Sequence, residues 1–279
     1  TALRARLESE ARAPAWRGGS DTEVLLAGFD TWGIIATLQQ AIGMFAFALW
    51  DRHTRQLTLG RDRMGEKPLY YGWQGKGADR AFLLGSELGA LAAHPACVRQ
   101  ISRDSLVQFL RHGHVGEQNA IYEGIAKLPP ATIATISLDD PEPVLSPYWS
   151  LSDLAQKPPR DVTPDVATDE LETLLHDAVG QQMLADVPLG AFLSGGIDSA
   201  LIVSLMQART TRPVKTFSIG FHEKRYDEAP EARAIASHLG TDHHELYISD
   251  SDLREAVPNM ARIYDEPFAD NSQIPSWIV

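Results

Sequence analysis

Apolar residues along the first third of the chain recur with two different periods. Leu3, Leu7 and Ala11 fall at helical spacing and stop at Pro14, which predicts a short opening helix. Ser20 and Glu23 have the spacing of a capping box, so a second helix is expected behind them, carrying Val24, Leu25, Leu26 and Phe29. Residues 44–51 are apolar at successive positions, the pattern of a strand covered on both faces. Met44, Phe45, Phe47, Leu49 and Trp50 are therefore expected in the core. The polar run 53–56 joins this strand to Leu57-Thr58-Leu59 as a hairpin. Residues 69–73 and 82–84 read as two further strands with no helical pattern between them, which predicts an antiparallel sheet.

Farther along, 102–111 reads as a helix stopped by Gly113. Six prolines crowd residues 141–165, from Pro141 to Pro164, and predict an irregular linker. Leu171, Leu174, Leu175, Ala178 and Val179 then form one stripe of an amphipathic helix. After it the period changes again. Strands are expected at 190–193, 215–221 and 244–248, with helices at 199–207 and 227–239 between them. Short connections in such an alternation require parallel pairing and a doubly wound sheet.

Two regimes of pattern over 279 residues imply two domains. With 44% hydrophobic and 22% charged residues the chain has material for real cores, which excludes wholesale disorder. There are 37 acidic against 25 basic side chains, a net charge of −12 that disfavours nucleic acid as a partner. Cys97 is the only cysteine, so neither an internal disulfide nor a multi-cysteine zinc site is available. It reads as an ordinary small buried residue, and a reducing, cytoplasmic setting is expected. The longest apolar run, 43–50, is too short to cross a bilayer, and no membrane association is expected. No signal peptide is legible at the start. The sequence opens without methionine and ends inside an apolar stretch at Ile278 and Val279, so both ends read as cut.

The segment Ser194-Gly195-Gly196-Ile197-Asp198-Ser199 carries the clearest chemistry. It joins the first parallel strand to the next helix, at the carboxyl end of the sheet where ligands of such folds sit. Two glycines allow close approach of backbone to an anion, two serines offer hydroxyls, and the helix adds free amides and the positive end of its dipole. Those parts suit a pyrophosphate. Ionised Asp198 cannot donate to phosphate, and Mg²⁺ is its natural partner. A plain strand-to-helix turn is the competing reading for an isolated Ser-Gly-Gly; the six-residue pattern in this context favours the nucleotide.

This loop resembles the signature of the PP-loop ATP pyrophosphatases, which cleave ATP between the α and β phosphates. The stretches 226–228, 243–245 and 265–270 are similar to the asparagine synthetase branch of that family. Independently, 20–25, 43–51, 61–63, 67–71 and 85–87 look like the latter part of a type-2 glutamine amidotransferase domain. The resemblance covers nearly the whole chain. It implies an α/β two-domain fold, with a partial Ntn-type antiparallel glutaminase domain and then a partial doubly wound PP-loop domain. The expected division is 1–96 for the amidotransferase part, 97–168 for a connecting region and linker, and 169–279 for the synthase part. The implied reaction is ATP-dependent amidation of aspartate by ammonia from glutamine, through β-aspartyl-AMP. ATP and Mg²⁺ are the implied cofactors, glutamine and aspartate the other small-molecule partners, and a homodimer is admitted as an assembly.

By resemblance, Leu193, Ser194, Gly195, Gly196, Asp198, Ser199 and Ile219 would bind ATP, with Asp198 also on the metal and Ile219 against adenine. Asp21 would hold the α-amino group of glutamine; its competing reading is a favourable charge at a helix start. No catalytic residue is assigned. The family's N-terminal cysteine nucleophile has no counterpart, and Thr1 is not a credible substitute. The second nucleotide loop of the family is not found either, so this stretch alone is expected to be inactive. A relative that amidates or cyclises another carboxylate, as β-lactam synthetase does, is the alternative, followed by a non-catalytic nucleotide-binding remnant. Among other polar groups, His243 and His244 point to opposite faces of a strand and cannot chelate together. Arg61, Arg63 and Lys67 read as a solvated turn or, by resemblance, as support for a site. Asp265, Glu266 and Asp270 divide evenly between a solvated loop and a functional cluster.

Overall fold

In a computed structural model the described residues are 2–278; Thr1 and Val279 lie outside them. The chain divides into two units, one of 1–158 with 264–269 and the other of 159–263 with 270–279.

The first unit opens with helices α1 (Ala2–Ser9), α2 (Asp21–Trp32) and α3 (Ile34–Leu38). Ser20 caps α2 by accepting from the Thr22 amide, but Glu23 accepts from the amides of Arg17 and Gly18 rather than Ser20. The expected capping box is thus replaced by a carboxylate that braces the approach to the helix. Strands β1 (Ala46–Asp51), β2 (Gln56–Arg61), β3 (Tyr70–Gln74) and β4 (Ala81–Gly85) follow, then helices α4 (Leu88–Ala92) and α5 (Arg103–His112). Ser102 caps α5 and Gly113 ends it at φ 78°, as the sequence requires. Three more strands, β5 (Ala126–Lys127), β6 (Thr132–Ser137) and β7 (Val144–Pro147), complete two antiparallel sheets of order β1-β2-β6-β7 and β4-β3-β5. A short helix α6 (Leu151–Ala155) follows.

Two expectations fail here. The proline-rich stretch contains β7, because an edge strand tolerates Pro147 where it need not donate inward. β1 is also an edge strand, so Met44 and Trp50 are exposed rather than core. Phe45 and Phe47 do pack inward, against Leu38, Ile133 and Tyr148. Leu59, Tyr71, Leu128, Ala134 and Ile136 bring residues of both sheets into one cluster. Each fully buried side chain of this kind contributes about 1.5–3 kcal/mol.

The second unit contains α7 (Pro164–Gln182), β8 (Gly190–Phe192), α8 (Ile197–Ala208), β9 (Lys215–Phe221), α9 (Ala229–Leu239) and β10 (Asp242–Ile248). Shorter helices α10 (Asp250–Ala256), α11 (Met260–Ile263) and α12 (Gln273–Ile278) end the chain. The strands pair in parallel with order β10-β9-β8. Val203 of α8 and Ala232 and Ala236 of α9 pack with Leu193 into one core, so both helices lie on one face of the sheet. That follows from right-handed crossovers repeated in one direction. On α7, Val179 is buried but Leu171 and Leu174 are exposed among the described residues.

Candidate functional site

β8 ends at Phe192, and the Leu193 amide still donates to the Phe217 carbonyl of β9 at 2.8 Å. Leu193 is buried, and its carbonyl accepts from the Ser218 hydroxyl. The chain therefore stays in register up to the first residue of the loop and leaves the sheet at Ser194. Ile219, half-buried, is the next position along β9. Leu193, Ser194, Gly195, Gly196, Asp198, Ser199 and Ile219 are thus gathered at the carboxyl edge of β8 and β9.

The loop is held from within by its serines. Ser194 Oγ and Ser199 Oγ lie 2.9 Å apart. The Ser194 amide donates to Ser199 Oγ at 3.1 Å, and the Gly196 amide donates to Ser194 Oγ at 3.2 Å. Ser199 Oγ also lies within reach of the carbonyls of Ser194 and Gly196. Gly196 caps α8 with no side-chain cap, so the opening amides of the helix have no side-chain partner at that residue. Asp198 stands exposed in the first turn of α8.

Neither loop glycine adopts a positive φ. They are needed for space: a Cβ on Gly195 would lie 2.9 Å from Glu231 Cβ of α9, and one on Gly196 would lie 3.2 Å from Ser194 Oγ. The glycines let the loop press against α9 while its outer side stays open.

As a metal ligand Asp198 would act singly. Among the described residues no group of three His, Cys, Asp or Glu side chains gathers to hold an ion. Asp198 is a lone exposed carboxylate in the first turn of α8. His243 and His244 separate on β10, the His243 side chain being 10% exposed and that of His244 51%.

In the first unit Asp21 is exposed at the start of α2 and accepts from the Thr22 amide at 2.7 Å. The basic cluster is not a solvated turn. Arg61 is half-buried and brackets the following loop, donating to the carbonyls of Gly65, Lys67 and Leu128. Burial lowers its pKa. Asp62, which sequence reasoning passed over, is 1% exposed and accepts from the amides of Phe45, Met64, Glu66 and Lys67 at 2.9–3.2 Å. The Tyr148 hydroxyl donates to the Arg61 carbonyl, and burial pushes that phenol up to about 12. Cys97 is partly buried against the cluster of Tyr70, Leu88 and Ile121, and burial pushes its thiol up. Asp270 is exposed and accepts from the amide and hydroxyl of Ser272, a local turn. No helix among the described residues is long and apolar enough to cross a membrane.

Residues 1–149 match the family model described as glutamine amidotransferase domain, and residues 170–279 match the one described as asparagine synthase. The chain is 36% identical over 264 residues to a putative glutamine-hydrolyzing asparagine synthetase 2 of Methanocaldococcus jannaschii, covering 94% of this chain and 49% of the relative. It is 31% identical over 275 residues to glutamine-hydrolyzing asparagine synthetase 1 of Bacillus subtilis, covering 98% and 42%. A putative glutamine-hydrolyzing asparagine synthetase of Mycobacterium tuberculosis is 32% identical over 269 residues, covering 93% and 39%. The chain spans half the length or less of these relatives.

Proposed function

Because the chain belongs to the glutamine amidotransferase family over residues 1–149, we propose that it is part of an enzyme making asparagine from aspartate, glutamine and ATP. The first unit is then a portion of an Ntn-type glutaminase, and the second a portion of a PP-loop ATP pyrophosphatase. The observation that carries the reading is the open loop 194–199 behind β8, inside the stretch that matches asparagine synthase.

The chemistry is a division of labour. A carboxylate is a poor acceptor for ammonia, because its oxygen leaves badly. One β-carboxylate oxygen of aspartate attacks the α-phosphorus of ATP and pyrophosphate departs. Ammonia from glutamine then attacks the β-carboxyl carbon of the aspartyl-AMP, a proton is lost, and AMP leaves with the oxygen. Ser194, Gly195, Gly196 and Ser199 would hold the pyrophosphate through hydroxyls and amides, with the α8 dipole favouring its charge. Ile219 would lie against the adenine, and Leu193, whose side chain is in the core, would meet ATP through its backbone. Asp198 would carry Mg²⁺, which neutralises phosphate charge when bound. Asp21 would pair with the α-ammonium of glutamine, as a carboxylate suits an ammonium.

The test is pyrophosphate and AMP release by the full-length enzyme carrying this sequence. Release that requires aspartate, with one asparagine per AMP, is expected. Release driven by another carboxylate and not by aspartate overturns the assignment.

A further inference from the structure

Residues Tyr264–Ala269 belong to the first unit, although Ile263 and Asp270 on either side belong to the second. They fall in the stretch matching asparagine synthase, whereas the groups that Asp265, Glu266 and the Ala269 amide bind fall in the stretch matching the amidotransferase.

Three attachments hold this segment. Asp265 accepts from the Leu88 amide at 2.6 Å and the Gly89 amide at 3.0 Å. Those are the opening amides of α4, whose own N-cap residue Glu87 makes no side-chain cap. A carboxylate there satisfies orphan donors and meets the positive end of the dipole. Glu266 accepts from the Ile121 amide at 2.7 Å through Oε1. Its Oε2 lies 2.5 Å from Lys127 Nζ and accepts from the Tyr70 hydroxyl at 3.4 Å. The two charged side chains are only 11% and 16% exposed, and Lys127 also donates to the Val115 carbonyl at 3.2 Å. Burial, and then the Glu266 charge, push the Tyr70 phenol up. Finally the Ala269 amide donates to the Gly113 carbonyl at 2.6 Å, where α5 ends.

A pair buried this deeply adds little net stability, because desolvation offsets the attraction, but losing one partner strands the other charge. Such a pair fixes position better than it holds a fold together. A solvated loop would leave both carboxylates to water; here neither is. The sequence left that question open, and the attachments settle it against the solvated loop.

We propose that Tyr264–Ala269 is a coupling strap, in which Asp265 and Glu266 are positioning residues that make the first unit respond to nucleotide in the second. The proposal rests on the reading given under Proposed function. The strap is the covalent route: a shift of α11 or α12 displaces six residues that span at most about 20 Å when extended. The Glu266–Lys127 pair is either made or broken, which gives the two discrete states that coupling requires.

Two measurements on the full-length enzyme carrying this sequence test it. Hydrogen exchange at the amides of Leu88, Gly89 and Ile121 is expected to change at least about fivefold on adding Mg-ATP. Glu266→Gln keeps an acceptor for Ile121 and so should fold, but it removes the charge facing Lys127 and should abolish the response. The second measurement is glutamate formed per AMP formed, expected to rise at least about fivefold in Glu266→Gln with glutamine hydrolysis retained. Lys127→Met should raise the same ratio. A wild-type enzyme with no exchange response to Mg-ATP, or a ratio unmoved in both variants, overturns the strap. A wild-type enzyme that shows the response yet forms no AMP from aspartate overturns the proposed reaction and leaves the strap standing.

Discussion

Asp62 follows strand β2 and Asp198 follows the loop behind strand β8, and the surroundings of the two carboxylates are opposite. Asp62 is buried and its oxygens accept from four backbone amides. Asp198 is exposed in the first turn of a helix. Around Asp62 the polar groups close on themselves: Arg61 meets three carbonyls and Tyr148 a fourth. Around Asp198 two serines secure the inner side of the loop, and Gly196 offers the helix no side-chain cap. Both loops use charged or small polar residues with glycine, yet one buries its carboxylate under four backbone donors and the other leaves its carboxylate exposed. Residue type does not separate them; the surroundings of the carboxylate do.

Breaking the closed loop should have the largest effect. Asp62→Ala leaves four amides without their acceptor inside the first unit, and an unsatisfied buried group costs about 1–3 kcal/mol. A loss of about 3 kcal/mol or more is expected in urea unfolding, with Asp62→Asn recovering part of it. If Asp62→Ala unfolds at the wild-type midpoint, the loop is not closed and the contrast with Asp198 is lost.

Gly195→Val comes next. Its Cβ would lie 2.9 Å from Glu231 Cβ, so the loop must move off α9 or α9 must shift. Overpacking of this kind costs about 1–3 kcal/mol. Nucleotide affinity should fall with it, because the amides lose their aim. Asp198→Ala separates the two properties. Unfolding should stay within about 0.5 kcal/mol of wild type, as for any exposed side chain. Mg-ATP binding by titration calorimetry should weaken about tenfold or more, which is about 1.4 kcal/mol. A variant that is destabilised but binds normally would show that Asp198 is architectural after all.

Much of the second unit is legible from pattern alone. Residues 215–221 form β9 at the expected position, although its buried positions are Thr216, Ser218 and Gly220 rather than its apolar residues. The loop was legible because its six residues are contiguous. What escaped depends on partners far away in sequence. Thr132–Ser137 forms the interior strand β6, buried on both faces, but no turn signal pairs it with β2. Asp62 reads as one charge in a basic cluster until Phe45 supplies an amide from another strand end. Glu266 reads as loop until Lys127 and Ile121 enclose it. Local chemistry is written locally; satisfaction of a buried charge is not.

The smallest effect tests the same distinction on adjacent residues. His243 and His244 share β10 and face opposite ways. The His243 side chain is 10% exposed, with Nδ1 2.9 Å from Thr216 Oγ1 and Nε2 buried without a hydrogen bond. Burial lowers its pKa, and Arg233 and His244 push the same way, while Glu245 at 3.6 Å opposes them. The folded chain therefore takes up the proton later than the unfolded chain as pH falls. The contribution of neutral His243 to stability is full above the ordinary histidine value of about 6.5 and is lost as pH drops from there through the lower folded value. The urea midpoint of the second unit, followed by hydrogen exchange, should decline over that window. His243→Gln should flatten the decline, whereas His244→Gln, which changes an exposed side chain, should leave it in place. Equal slopes in the two variants would mean that burial at this strand does not set the proton affinity, and that His243 is as open to water as its neighbour.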